Sequence, residues 1–282
     1  MGKGLLLALG MAVGLVGLVW ISARQFDRTM DAEIGELLAS AHSGERIVTE
    51  QDLESLPNPV RIWLQTSGIV GQAMPSTVRL RQVGRIRSGP ESSWMSFRAD
   101  QYYVLEPAAF IWRVYATMGP GLFVRGFDSF VDGLGRMQMK PLALFSVVDA
   151  SGSALDQGAA LRYLQETVWF PYAALLESIR WEPIDECHAR AILHTETGTV
   201  EGTFQFDEEG HVTAFEADRY RDEDPEPTLR PWRAVTCDET AIAGMSIPIR
   251  GEGIWELPDG PFTYVELELV DLDLDVPRLY PR

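Results

Sequence analysis

One long stretch with helical periodicity, Gln157 to Asp185 (QGAALRYLQETVWFPYAALLESIRWEPID), interrupts a chain that after Gly68 otherwise alternates with the period of β-strands. Leu161, Leu164 and Val168 form one stripe of this helix, while Arg162, Glu166 and Trp169 follow at i, i+4 and i+7 about a third of a turn away. Pro171 ends the helix and can open another at its first turn, so Tyr172 to Ser178 reads as a second short helix. A helix pair is thus expected inside a β domain.

The flanking segments read as strands. Thr77 to Arg87 and Ser93 to Val104 are joined by Ser88-Gly89-Pro90-Glu91, and Phe110 to Met118 turns at Gly119-Pro120-Gly121 into Leu122 to Phe130. Arg136 to Val148 follows Asp132-Gly133-Leu134-Gly135. After the helices come Cys187 to Thr195, Thr199 to Phe206, His211 to Tyr220, Arg230 to Cys237, Ile242 to Arg250, Gly253 to Leu257 and Pro261 to Val276. The links are too short for crossovers, so neighbouring strands are antiparallel. In the last strand Val265, Leu267 and Leu269 are apolar at odd positions and Val270, Leu272 and Leu274 at even ones, which predicts a β-bulge near Leu269 and Val270. The fold class expected is α+β: a strongly curved antiparallel sheet or unclosed barrel of about eleven strands. The helices from Ala159 to Ser178 would lid it.

Gly4 to Ala23 is twenty residues without a charge, and at 1.5 Å per residue that covers a bilayer core of about 30 Å. A cleaved signal peptide competes, but its apolar region usually runs about 7 to 15 residues. The expected organisation is an anchor over 1–23, a juxtamembrane helix or stalk over 24–50, and one curved-sheet domain over 51–282. The anchor would make a single-pass protein of the inner membrane with its soluble domain extracytoplasmic. Gly10-x-x-x-Gly14 has the spacing that would let two anchors pack as a homodimer. A net charge of −17 argues against nucleic acid and against electrostatic docking on anionic lipid.

No cofactor is expected. Asp271, Asp273 and Asp275 open like a calcium loop, but Val276 and Arg282 stand where glycine and a bidentate glutamate belong, and no metal site is assigned. The histidines His42, His188, His194 and His211 have no ligand partners at zinc-site spacing, and no nucleophile or nucleotide motif occurs. Cys187 and Cys237 are the only cysteines and would form a disulfide if an exported fold brings them together. Arg162 and Glu166 read as a surface ion pair, as a clamp of helix onto sheet, or as a catalytic site in which Glu166 is the candidate acid, with Asp100, Asp128 and Asp132 as further carboxylates. Aromatic residues on successive strands suggest an apolar concavity. Trp94, Phe97, Trp112, Arg162, Glu166 and Trp169 are its candidate ligand-binding residues.

The run Arg162-Tyr163-Leu164-x-Glu166-x-x-Trp169-x-Pro171, with Leu56-Pro57-x-Pro59-Val60 and Asp128-x-Phe130-x-x-Gly133-x-Gly135, resembles an uncharacterised bacterial family, a domain of unknown function carried behind a membrane segment. The likeness runs from about Leu56 to the C-terminus and implies no known activity. In architecture alone, the order of strands, central helices and strands is similar to the half-open barrel of periplasmic lipoprotein carriers. With the anchor and the aromatic strands, the function expected is a membrane-anchored extracytoplasmic binding or carrier domain for a lipid-like apolar ligand; the alternative is an envelope interaction module working through the helix pair, and the third a hydrolase using Glu166.

Overall fold

The computed structural model describes residues 2–42, 46–223 and 226–281. Its helices are α1 (Gly2–Ala39), α2 (Glu50–Leu53), α3 (Asn58–Thr66) and α4 (Ser153–Glu166). The first half of the chain supplies β1 (Thr77–Ile86), β2 (Met95–Val104), β3 (Ala109–Gly119), β4 (Leu122–Val131), β5 (Leu134–Pro141) and β6 (Val148–Ser151). The second half supplies β7 (Ile179–Pro183), β8 (His188–Thr195), β9 (Gly198–Phe206), β10 (Val212–Arg221), β11 (Thr228–Ile242), β12 (Met245–Leu257) and β13 (Gly260–Leu274).

All thirteen strands lie in one antiparallel sheet in the order β6-β5-β4-β3-β2-β1-β13-β12-β11-β10-β9-β8-β7. Each half is a meander of sequence neighbours, as short links require. Among the described residues, the strand pairing that joins the halves is that of β1 with β13. The edges β6 and β7 do not pair, so the sheet is unclosed, and α4 runs between them across one face. Thr197, in the β8–β9 turn, bridges part of the gap by donating to the Gly133 carbonyl at 2.6 Å.

The class matches expectation, while the count rises from about eleven strands to thirteen. The segment Arg136 to Val148, expected as one strand, is split by a turn in which Leu142 and Ala143 take positive φ. Ile179–Pro183, expected at the tail of the helical stretch, is strand β7. The bulge falls where the alternating pattern changes phase. Arg81 faces Asp271 and Gln82 faces Leu269, which leaves Val270 as the extra residue and returns Leu272 to the buried side.

The helical stretch starts earlier and ends sooner than its periodicity suggests. α4 begins at Ser153, and after Glu166 the chain tightens into two 3-10 turns, Thr167–Trp169 and Pro171–Leu175. Leu176 is already extended, so no second helix reaches Ser178.

Two cores result. On the inner face, Tyr103, Phe110, Phe130, Tyr163 and Phe170 interlock, with the Tyr103 and Phe170 ring centroids 4.5 Å apart. On the outer face, the segment expected as a stalk is the second half of the continuous α1. Its Phe26, Met30, Ile34 and Leu38 are buried against Tyr102, Ile111, Phe127 and Tyr280. Burial of such side chains stabilises by about 1.5–3 kcal/mol each.

α3 closes one end of the curved sheet. Its Trp63 packs on Phe204 and Phe206 with centroids 5.9 and 6.0 Å away, and Thr66 donates to Glu209 in the β9–β10 turn. Gly68, at φ 77°, ends the helix in the left-handed conformation that glycine adopts without penalty.

Cys187 and Cys237 are free and exposed, so the expected disulfide is not formed. Strands β9 and β10 lie between Cys187, just before β8, and Cys237 on β11. Three strand spacings of about 4.8 Å far exceed the reach of roughly 7 Å that a disulfide spans.

Candidate functional site

Beneath α4 the inner face of the sheet is not filled. A cavity of about 450 Å³ lies between α4 and strands from both halves. Its walls are mainly apolar, with Phe97, Trp112, Met139, Trp232, Trp255 and Leu267 among them. That volume falls within the range of roughly 300–1,000 Å³ typical of small-molecule sites.

The wall toward α4 carries a buried polar network. Arg162 donates from Nε to Glu166 Oε1 at 2.8 Å and from its terminal nitrogen to Asp128 Oδ2 at 2.7 Å. Gln101 and Tyr103 donate to Glu166 Oε2 at 2.7 and 2.8 Å, and Arg162 also reaches Gln101 Oε1 at 3.3 Å. The guanidinium lies over the rings of Trp112 and Phe110, 4.9 and 5.1 Å from their centroids. Burial acts to lower the pKa of Arg162, but the charges of Glu166 and Asp128 outweigh it and hold the group above its ordinary value. Burial first, and the Glu166 charge second, push the Tyr103 phenol up. Arg162 and Glu166 are therefore an interior clamp and not a surface pair.

The residues behind the family resemblance assemble this clamp. Asp128 holds Arg162, and Phe130 stacks toward Tyr163, whose hydroxyl donates to the Leu105 carbonyl at 3.0 Å. Gly135 donates its N–H to Asp156 at 2.7 Å, and a Cβ there would lie 2.5 Å from the Leu155 carbonyl oxygen. The first turn of α4 can approach the sheet only over glycine. Together these residues fasten the lid onto the sheet.

Across the cavity stands a second arginine that periodicity alone had not singled out. Arg219 of β10 lies 5.0 Å from the Trp232 centroid and 5.9 Å from that of Trp255, and its one hydrogen bond is to Tyr264 Oη at 3.5 Å. No carboxylate pairs with it among the described residues. The signal was present, because Arg219 continues the inward phase of Phe215 and Ala217. Among the described residues, four polar atoms of the lining have no protein partner: Asp128 Oδ1, Gln82 Nε2, Trp169 Nε1 and Trp232 Nε1. All four atoms are buried, so they are polar groups that the fold leaves unsatisfied.

Of the residues expected to bind ligand, Phe97, Trp112, Arg162, Glu166 and Trp169 all line the cavity. Trp94 does not. It sits in the β1–β2 link, held between Arg85 and Arg87 at 4.7 and 4.5 Å. Of Asp100, Asp128 and Asp132, Asp128 faces the cavity, which Asp222 and Glu252 also line; Asp100 pairs with Arg113 at 2.7 Å and Arg81 at 3.1 Å, and Asp132 occupies a turn at φ 53°. The aspartates of the last strand serve structure. Asp273 pairs with Arg79, and Asp275 accepts the Ser76 and Thr77 N–H groups.

The fold and cavity define a half-barrel with a fastened helical lid. The chain belongs to a family of unknown function, DUF6544, whose model matches residues 46–267. No curated protein matches it. Among solved structures it is similar to a DUF1329 family protein from Desulfovibrio piger, at 12% identity and a TM-score of 0.44 over 79% of this chain and 95% of that one. It is also similar to a LolA superfamily protein from Nitrosomonas europaea, at 13% identity and 0.40 over 78% and 93%. A third is a putative outer membrane lipoprotein-sorting protein domain from Vibrio parahaemolyticus, at 9% identity and 0.36 over 71% and 86%.

Proposed function

We propose that the chain is a membrane-anchored, extracytoplasmic binding or carrier domain for a lipid-like ligand. The observation that carries this reading is the unfilled apolar cavity, in a domain otherwise packed tightly enough to bury the rings of Tyr103, Phe110 and Phe170 completely. Arg219 gives the ligand a polar end to address. The ligand class that fits is an amphiphile whose apolar part lies along Trp112, Met139 and Leu267 and whose anionic group reaches Arg219. α1 is long and apolar enough to cross a membrane, and Leu9, Val13, Val16 and Trp20 are exposed on it.

The alternatives lose support. Glu166 accepts three hydrogen bonds, close to the four a carboxylate can accept, so it is poorly placed to exchange a proton as a hydrolase acid. A partner module acting through the helices would need an exposed face. From Gly158 to Ala174 every residue except the half-buried Arg162 is buried.

The test uses the full chain in nanodiscs containing a phospholipid with a photoactivatable diazirine on its acyl chain. Crosslinks on peptides of β5, β6 and β12 are expected, and Ala150→Trp, which fills the cavity from the edge strand, should reduce them several-fold. Labelling confined to α1, or unchanged by Ala150→Trp, would overturn the reading. Protease added to sealed vesicles of known orientation reports the side on which the domain lies.

A further inference from the structure

Along β1–β6 and β10–β13 the strand register places the β1–β2, β3–β4, β5–β6, β10–β11 and β12–β13 links at one end of the sheet, while the β8–β9 turn, which register alone would put there too, instead meets the β4–β5 turn through Thr197. The opposite end is the one closed by α3. The cavity reaches the open end, where Ile86, Met139, Val148, Asp222, Pro227 and Tyr264 line it.

α1 leaves the domain at this same end. Its contacts run in order along the outer face: Leu38 lies in the cluster with Val104 and Ala109, Asp31 pairs with Arg113, Asp27 pairs with Arg125, and Ser22 Oγ donates to the Ala143 carbonyl. Ala143 belongs to the β5–β6 link, Leu142-Ala143-Leu144-Phe145-Ser146-Val147. Ser22 is also the place where the uncharged segment meets its first flanking charge, Arg24.

Around this junction the surface is apolar without a protein partner. Phe145 is 58% exposed and Val147 59%, and the neighbouring β3–β4 hairpin presents Met118 at 55% and Leu122 at 52% beside its turn. Leu142 N–H bonds to the Phe123 carbonyl, so the two links form one patch. Lys140 and Arg125, cross-strand neighbours, border it. The acidity of the chain as a whole opposes electrostatic docking on anionic lipid, which makes this contact an apolar one held by its tether.

We propose that the β5–β6 link and the β3–β4 turn are seated in the bilayer interface, so that the cavity opens onto the membrane and its ligand enters from lipid without crossing water. The inference rests on the anchor assigned to α1 above. The occupant of the patch is lipid because the patch continues from the helix segment that is exposed and apolar on all sides.

The test places single nitroxide labels on the full chain, in a Cys187→Ser, Cys237→Ser background, reconstituted in phosphatidylcholine nanodiscs. Labels go at Leu15→Cys in α1, Phe145→Cys in the patch, and Leu134→Cys, 56% exposed, at the start of β5 at the far end. Collision with oxygen should dominate over collision with a water-soluble nickel complex at residues 15 and 145, and the reverse should hold at 134. A label at 145 that reads aqueous while 15 reads lipid overturns this inference and leaves the anchor standing. Aqueous readings at both overturn the anchor as well. If 145 and 134 both read lipid, the domain lies flat and the proposed orientation fails.

Discussion

Arg162 and Arg219 face the same cavity, and each lies over two aromatic rings, yet their surroundings differ in every polar respect. Arg162 is matched by two carboxylates and an amide, so its charge is spent within the protein. Arg219 has one long bond to a phenol. The contrast teaches that an arginine in a cavity is informative by what it lacks: the saturated one fastens α4, and the unsaturated one has donors left for something else.

The largest effect should come from the saturated side. Arg162→Met strands the carboxylates of Asp128 and Glu166 in the interior, which costs about 3–5 kcal/mol by urea unfolding. Adding Asp128→Asn and Glu166→Gln to the same variant removes the stranded charges and should recover most of that loss. A triple variant no more stable than Arg162→Met would mean that guanidinium packing on Trp112, not charge compensation, holds the lid.

A pH dependence separates the two regions further. Burial raises the Tyr103 phenol above the pKa of about 10 it has in the unfolded chain. Below that value both states hold the proton and the contribution is fully present. As pH rises beyond it, the unfolded chain releases its proton while the folded one retains it, so stability falls, by up to about 1.4 kcal/mol per pH unit. Urea titrations between pH 9 and 11 should show a shallower decline in Tyr103→Phe than in the parent. Equal slopes would remove the buried phenol from the clamp.

Much of this contrast was legible before the fold was known, and the reason is local. The stripe of Arg162, Glu166 and Trp169 follows from helical spacing, and the Val270 bulge follows from a change of phase within one strand. What failed depended on distant neighbours. Trp94 has the same residue type as the cavity aromatics and reads in sequence as part of a strand, but it lies just before the start of β2, where Arg85 and Arg87 hold it outside. Strand β7 pairs with β8 although it follows directly from the helical run, and the β5–β6 turn needs two non-glycine residues at positive φ, which propensity disfavours.

The smallest change in stability and the sharpest test of the comparison belong to Arg219→Met. The guanidinium itself is half-exposed over the buried Trp232 and Trp255, a contact worth about 0.5–1 kcal/mol, so unfolding should shift by about that much. Ligand preference should shift much more. With diazirine phospholipids supplied in equal amounts, the parent should favour an anionic headgroup over a zwitterionic one, and Arg219→Met should bring the ratio toward one while total crosslinking to β5 and β12 persists. Arg162→Met cannot serve as the control, because it loosens the lid; Arg219→Lys can, since it keeps the charge and loses the planar stacking on Trp232. A preference kept by Lys and lost by Met would assign the effect to charge at this one position. A preference unchanged in both would mean that Arg219, like Arg162, belongs to the scaffold.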